Sequence, residues 1–570
     1  MAFRGPLPDV DIPQVSLYAY LFAGLSDEVA DRVAVVRAST GEEFSYRRLR
    51  HDIDHVAAWL TDRGIGAGDA VLVMLPTCPE YVTAFHGVAR AGAAASPVNA
   101  AYTAWEVTHQ LRATGAQYVV LAASMAHTIL PALQEVGLGA DRLIVVRDPA
   151  VDAPCAPAGA IDYADLTSYQ PDQDGSSRGR DVATGMAADP VTDAATHVAA
   201  LPMSSGIGGL AKPVMLTHRN LVANIVQYNP VLAPLEIEHR LVAFLPFSHV
   251  YALTDTMHYA LANRFLLVTM AEFDAVGYLE AIAHYRATLL YVVPPVAGLL
   301  ARHPVVDDYD VSSVEVIVSG AAPLDQKVGE RLAQRLGAQV LQGYGLTETS
   351  PVTHVMLPNQ PDVRFETIGP ALPNVDFRVV DVKTGRDVEV PVEGESEPGE
   401  LWCAGPNIML GYHRDPEATA QIIDADGYLH TGDLVRVDAR GIVRIVGRTK
   451  ELIKNRGFQV PPAELEATLR THPAVADAGV YGVPLPNGSG DEVPHAVVQL
   501  ADDVPPGSVT PAELAAYLAE RAAKFKHVRS VTVVARVPRS PDGVLLRKAL
   551  PLLAAKAKAD AAAGVPVRAG

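Results

Sequence analysis

Three cysteines in 570 residues are too few and too far apart for a disulfide framework or a zinc site. Cys78, Cys155 and Cys403 each stand alone. Basic residues are also in deficit: Lys plus Arg number 46 against 65 Asp plus Glu, a formal charge of −19. That balance argues against duplex nucleic acid or an anionic membrane as the main partner. It does not argue against a nucleotide, because a local nest of backbone N–H groups binds phosphate on an acidic protein. Met1 to Pro8 hold no basic segment leading into an apolar one, so no secretory signal is legible. The longest apolar stretch, Ala287 to Ala301, is broken by Pro294 and Pro295 and is too short to span a bilayer. The expectation is therefore a cytoplasmic chain with no membrane insertion and no nucleic-acid partner. No internal repeat is visible, and the oligomeric state is open.

What is present is an ordinary globular composition, 49% hydrophobic and 19% charged. The length exceeds what one core holds, so the chain divides into a few units. Apolar runs alternate with helical patterns over most of it, the signature of parallel-sheet α/β architecture. Strands are expected at Ala70 to Leu75, Leu143 to Arg147, Leu241 to Leu245, Leu289 to Val293 and Val314 to Val318, with a helix over Glu80 to Arg90. Asp148 to Asp193 is rich in Pro, Asp, Gly and Ser and reads as loop, as does Pro391 to Gly399. After Lys454 the pattern becomes helix, strand, strand, helix, strand, which marks a small second domain. The expected organisation is a large domain over 1–449, a mobile α+β domain over 450–550 and a flexible tail over 551–570. From Ala554 the composition also suits a marginal Ala- and Lys-rich helix.

Three segments carry chemistry. Leu201-Pro-Met-Ser-Ser-Gly-Ile-Gly-Gly-Leu-Ala-Lys212 lies between an apolar run and a helix starting near Thr217. Glycines let backbone approach a polyphosphate, N–H groups and hydroxyls bind its oxygens, and Lys212 adds charge. It lacks the Walker spacing, since Pro213 rather than Ser or Thr follows the lysine. Alone, it also suits a plain connecting loop. Gln342-Gly-Tyr-Gly-Leu-Thr-Glu-Thr349, expected after a strand ending at Leu341, offers an aromatic to stack on a base. Glu348 suits Mg²⁺ and Thr347 suits phosphate, although a glycine turn capped by Thr347 would look the same. Gly427-Tyr-Leu-His-Thr-Gly-Asp433, followed by Arg448-Thr-Lys-Glu-Leu-Ile-Lys454, offers a carboxylate for two ribose hydroxyls. Asp433 by itself is equally a turn residue.

Taken together, in this order and spacing, the three segments resemble the adenylate-forming superfamily of acyl-CoA synthetases, luciferases and peptide-synthetase adenylation domains, most nearly its 4-coumarate–CoA ligases. The likeness runs from about Ser45-Tyr46 to about Leu550. It includes Leu245-Pro-Phe-Ser-His-Val-Tyr-Ala-Leu253, Ser319-Gly-Ala-Ala-Pro-Leu324, Gly399-Glu-Leu-Trp402, Gly411-Tyr412 and Gly457-Phe-Gln-Val460. The resemblance implies activation of a carboxylic acid by ATP as acyl-AMP with release of pyrophosphate, then transfer to a thiol such as CoA. It implies Mg²⁺ as well. By motif position, Ser204, Ser205, Gly206 and Lys212 would form the phosphate loop. Tyr344 would stack on adenine beside Gly320, Ala321 and Ala322. Thr347 and Glu348 would serve the α-phosphate and the metal, and Asp433 and Arg448 the ribose. Lys450 would be the hinge and Lys454 would act in the second half-reaction. His249, Tyr251, Asp255 and Gly345 would line the acid's pocket.

The chain also departs from the family. The family's closing motif ends in a lysine that reaches the α-phosphate. Here Pro538-Arg-Ser-Pro-Asp-Gly-Val-Leu-Leu-Arg-Lys548 places Val544 at that position. Losing one preorganised donor of this kind costs about 3–4 kcal/mol. Arg547 or Lys548 would substitute only with a shift in register. Ile207 and Gly208 replace usual hydroxyl residues, and Pro213 removes one N–H. Asp255 stands where those ligases usually carry a small hydroxyl residue. A carboxylate in an aromatic pocket needs a partner, and an amine on the substrate ring would provide one, unless Asp255 caps a helix or faces water. Three readings follow. The first is an aryl- or acyl-CoA ligase. The second is a diazotase-like variant that activates nitrite for attack by an amino-aromatic acid. The third is a degenerate nucleotide-binding homologue.

Overall fold

A computed structural model describes residues 2–147, 156–169, 189–204, 211–232, 239–360, 363–455, 458–460, 462–485, 492–505, 507–522, 524–541 and 543–562. Two large sheets dominate. In the first, of eight strands, neighbours run in the order Val352–Val355, Gln339–Gly345, Val316–Ser319, Leu289–Val292, Arg240–Ala243, Leu266–Thr269, Val33–Arg37 and Glu42–Ser45. Its interior pairs are parallel and its two edge pairs antiparallel. The second, of nine strands, centres on Ala70–Met74, flanked by Ala94–Pro97 and Tyr118–Ala122. Val71, Leu72 and Val73 are fully buried, the pattern of a parallel sheet covered by helices on both faces. Local signals start those helices: the Ser45 hydroxyl accepts from the Arg48 N–H to cap Tyr46–Thr61, and Pro79 opens Pro79–Arg90 with Glu80 in its first turn.

A four-stranded antiparallel sheet follows, ordered Asp376–Val380, Gly399–Ala404, Leu429–Val437 and Val443–Arg448. Beyond it come the hairpin Ile453–Asn455 with Phe458–Val460, the helix Pro462–Arg470, the strands Val475–Pro484 and Glu492–Leu500, the helix Pro511–Ala519 and the strand Ser530–Val534. These pack a core of their own around Leu465, Val480, Val498 and Leu514. Among the described residues no helix is long and apolar enough to cross a membrane.

Three expectations need correction. Within the presumed loop of 148–193, Ile161–Asp162 is a strand and Tyr163–Thr167 a short helix. The Asp162 side chain caps that helix, while Tyr163 and Leu166 are buried. The strand expected to stop at Leu341 continues to Gly345, because Tyr344 and Gly345 pair with His354 and Val352. The flexible tail expected over 551–570 gives way over its first part to the Ala- and Lys-rich helix that the composition also suits: Leu550–Ala562 is helical, with Leu550 and Ala554 buried against Tyr481 and Val497.

Candidate active site

The parallel pairing of the first sheet ends with Val292 beside Ser319 and Ser319 beside Gln342. The crevice outside such carboxyl ends is where α/β sheets bind ligands. Three groups of predicted residues gather around it.

At one end, Glu348 sits in the short turn Thr347–Thr349, 7% exposed. Its Oε1 accepts from the Ser204 hydroxyl at 2.6 Å and the Tyr412 hydroxyl at 2.8 Å. Its backbone oxygen accepts from the Met409 N–H at 2.9 Å. Burial, and then the neighbouring Glu348 charge, push the Tyr412 phenol up from its ordinary value. Lys212 pairs with Ser204 across a ladder, and its Nζ lies 2.6 Å from Asp415 Oδ2 and 5.6 Å from the Tyr412 ring centre. The hydrogen bond from Lys212 holds the Asp415 carboxyl below the usual carboxylate range. Thr347 is half-buried and opens the same short turn as Glu348. Ser205, Gly206, Ile207 and Gly208 lie outside the described residues.

At the other end, Asp433 is 2% exposed and bridges two strands. Its Oδ2 accepts from the Tyr344 hydroxyl at 2.6 Å, and its Oδ1 lies 2.8 Å from the Arg448 Nε. Antiparallel pairing of Leu429–Val437 with Val443–Arg448 sets Asp433 directly opposite Arg448. Burial raises the Asp433 carboxyl, against the opposing pull of Arg448 and Tyr344. Lys450 and Lys454 follow in the turn Thr449–Glu451 and the strand Ile453–Asn455.

The third group faces the strand ends. Tyr251 opens a π-helical segment, Tyr251–His258, and its hydroxyl donates to the Val318 oxygen at 2.9 Å. Gly320 lies so close that a Cβ there would sit 2.8 Å from the Tyr251 Cζ. Ala321 adopts φ +68°, and Ala322 follows it in the turn. His249 precedes the segment, its Nδ1 accepting from the Tyr251 N–H at 3.3 Å. Gly345 admits no side chain, since a Cβ would meet the Pro351 oxygen at 2.0 Å. Asp255, in the π-helical segment, is 3% exposed, and burial raises its carboxyl well above the ordinary range.

Val544 lies on a loop that reaches this crevice. A Cβ at Gly543 would sit 3.1 Å from the Pro295 Cδ, just past the strand Leu289–Val292. The loop is pinned by Arg539 Nη1 to the Gly543 oxygen at 2.8 Å and by the Val544 N–H to the Ser540 hydroxyl at 3.1 Å. Arg547, three residues on, is committed to Glu466 and, at 3.1 Å, to Glu451.

The sequence motifs name Glu348 and Lys212 but not the contacts they make, to Tyr412 and Asp415. Gly411-Tyr412 was visible as a motif, and Asp415 three residues on was the signal to follow. For a magnesium ion the donor set fits. Among the described residues Glu348 Oε2 has no hydrogen-bond partner, and no cluster of three or more acidic, His or Cys side chains exists to make an all-protein cage. One carboxylate plus substrate phosphates is the usual way this ion is held.

Comparison with known proteins agrees. The model of the AMP-binding enzyme family matches residues 25–413, and that of the AMP-binding enzyme C-terminal domain matches residues 464–543. The chain is 34% identical to 4-coumarate–CoA ligase 2 of Nicotiana tabacum over 99% of its own length and 98% of the relative's. It is 34% identical to 4-coumarate–CoA ligase 3 of Arabidopsis thaliana, over 96% and 93%. The crystal structure of ATP-bound MatB from Rhodopseudomonas palustris superposes with a TM-score of 0.80 at 28% identity, covering 94% of this chain and 98% of that one. This chain belongs to the AMP-binding, adenylate-forming enzyme family.

Proposed function

We propose that the enzyme activates an aromatic carboxylic acid with ATP and passes the acyl group to CoA. The observation that carries this is a pair of charged clusters built on one stretch of chain, the strand Gln339–Gly345 and the turn Thr347–Thr349 after it: Tyr344 with Asp433 and Arg448, then Glu348 with Ser204 and Tyr412 and, beside them, Lys212. A carboxylate oxygen of the acid attacks the α-phosphorus, the acyl–phosphate anhydride forms, and the bond to the β-phosphate breaks to release pyrophosphate. The CoA thiol then loses its proton and attacks the acyl carbon, forming the thioester and expelling AMP.

Charge concentrates on phosphate oxygens in the first step, and fixed cations and donors in a closed site offset it. Lys212 and Thr347 serve the phosphates, together with Ser204, Ser205 and Gly206. Glu348 would hold Mg²⁺, which supplies further positive charge there. Asp433 and Arg448 hold the ribose and Tyr344 packs on the base. The unit after Lys450 turns about that residue between the two steps and brings Lys454 to the site.

Val544 favours a second reading. The loop at the crevice carries an apolar side chain, 46% exposed, where a carboxylate ligase of this family would present a cation. In that reading nitrite oxygen attacks the α-phosphorus, giving a nitrosyl–AMP anhydride and pyrophosphate. An amino-aromatic acid then attacks the nitrosyl nitrogen and releases AMP.

AMP and pyrophosphate release, measured against a panel of cinnamates with and without CoA and nitrite, separates the two. Acid-dependent AMP without nitrite, and thioester with CoA, supports the ligase. AMP formation that requires nitrite supports the second reading. No AMP under any condition sinks both.

A further inference from the structure

Among the described residues four carboxylates are buried: Asp255, Glu348, Asp433 and Glu466. Glu348 has Ser204 and Tyr412, Asp433 has Arg448 and Tyr344, and Glu466 has Arg547 and the Val480 N–H. Asp255 alone has neither a hydrogen bond nor an ion pair among the described residues, although it is 3% exposed. Its electrostatic neighbours are the tyrosines 228, 251, 259 and 291, on four different elements. No lysine or arginine is among the groups that act on it. An isolated buried carboxylate is costly enough that folded proteins pair it or neutralise it. Here the described residues supply no pair.

The surroundings make this a ligand position rather than a packing fault. Asp255 lies in the π-helical segment that Tyr251 opens, and such segments recur at functional sites. Tyr251 forms the wall against Gly320 and Val318 at the strand ends. Tyr251 and Tyr291 pack edge to face at 5.9 Å, as do Tyr228 and Tyr259 at 5.1 Å, so the lining is aromatic. A neutral hydroxyl on the substrate needs no ionisable partner there. An amino group differs: it brings N–H donors and shares a proton with a carboxyl group. A neutral amine meeting a carboxylic acid gives the same pair as an ammonium meeting a carboxylate.

We infer that Asp255 is a specificity determinant that binds an amino group on the ring of the aromatic acid, at the inner end of the acid's pocket. This rests on the proposed function and on the expectation that His249, Tyr251, Asp255 and Gly345 line the acid's pocket. The preferred substrate is then an amino-substituted aryl acid, whichever of the two reactions it enters.

Binding is measured by calorimetry for cinnamate, its ring-hydroxylated forms and its ring-aminated forms, on the wild type and on Asp255→Asn and Asp255→Ser. Wild type should prefer one aminocinnamate over cinnamate by about ten- to a hundred-fold, the range for a hydrogen bond to a charged group. Both variants should lose that preference, and their melting temperatures should match or exceed that of the wild type. An unchanged amino preference in the variants overturns the inference. So does an equal gain for hydroxycinnamates in the wild type, or a melting temperature that falls in both variants, which would mean a structural role. Turnover is not needed for any of these readings, so failure of the proposed reaction is seen separately, in AMP release.

Discussion

Replacing Asp433 by Asn separates nucleotide binding from folding. The carboxylate makes two contacts, 2.6 Å to the Tyr344 hydroxyl and 2.8 Å to the Arg448 Nε. Hydrogen bonds to a charged group contribute about 1.5–3 kcal/mol against about 1 kcal/mol for neutral ones. Asn keeps the shape, so each contact weakens by at most about 2 kcal/mol. The Arg448 share is smaller, because its side chain is 58% exposed and screened by solvent. Burial acts in the opposite direction: it already disfavours the charged form of Asp433, and Asn removes that cost. The two effects nearly cancel, so stability should change by no more than about 1 kcal/mol. ATP affinity has no such compensation. On the proposed ribose assignment two hydroxyls lose a charged acceptor, which should weaken binding about 10- to 100-fold. Isothermal calorimetry with ATP and a thermal melt read the two quantities separately. Unchanged ATP affinity would refute the ribose assignment, and a collapsed melt would show that Asp433 holds the fold rather than the nucleotide.

Tyr412→Phe keeps the ring near Lys212 but removes one of two donors to Glu348, and should lower kcat/KM for adenylate formation about tenfold. An unchanged value in steady-state pyrophosphate release would remove Tyr412 from the site. Val544→Lys adds a cation on an exposed loop and should raise acyl-adenylate formation up to about 10²-fold if the enzyme is a carboxylate ligase. A flat or reduced rate would move the balance to nitrite. Lys450→Pro fixes φ at the proposed hinge, and stopped-flow assays should find one half-reaction slowed far more than the other. Full rates in both would put the hinge elsewhere.

The parallel strands were legible because runs such as Ala70–Met74 are buried on both faces and need no partner to be recognised. The pattern after Lys454 was legible for a similar reason, as short alternating elements. The strand at Ile161–Asp162 was not, since two residues carry no period and their flanks are polar. The site shows the same division. Motifs single out Lys212, Tyr344, Glu348 and Asp433, because each sits in a local run of glycines or hydroxyl residues. Their partners come from far along the chain: Ser204 meets Glu348 across 144 positions and Tyr412 meets it across 64. Spacing alone does not encode such meetings. Asp255 stands out in the sequence, but only the structure shows that nothing among the described residues pairs with its charge.

The central claim is that an oxygen of the aromatic acid attacks the α-phosphorus of ATP. Oxygen-18 in both carboxyl positions of the acid tests this directly, with CoA present so that the adenylate turns over. Mass spectrometry should find one labelled oxygen in the AMP phosphate, one retained in the thioester and none in pyrophosphate. Label absent from AMP, or ADP formed in its place, would contradict the account.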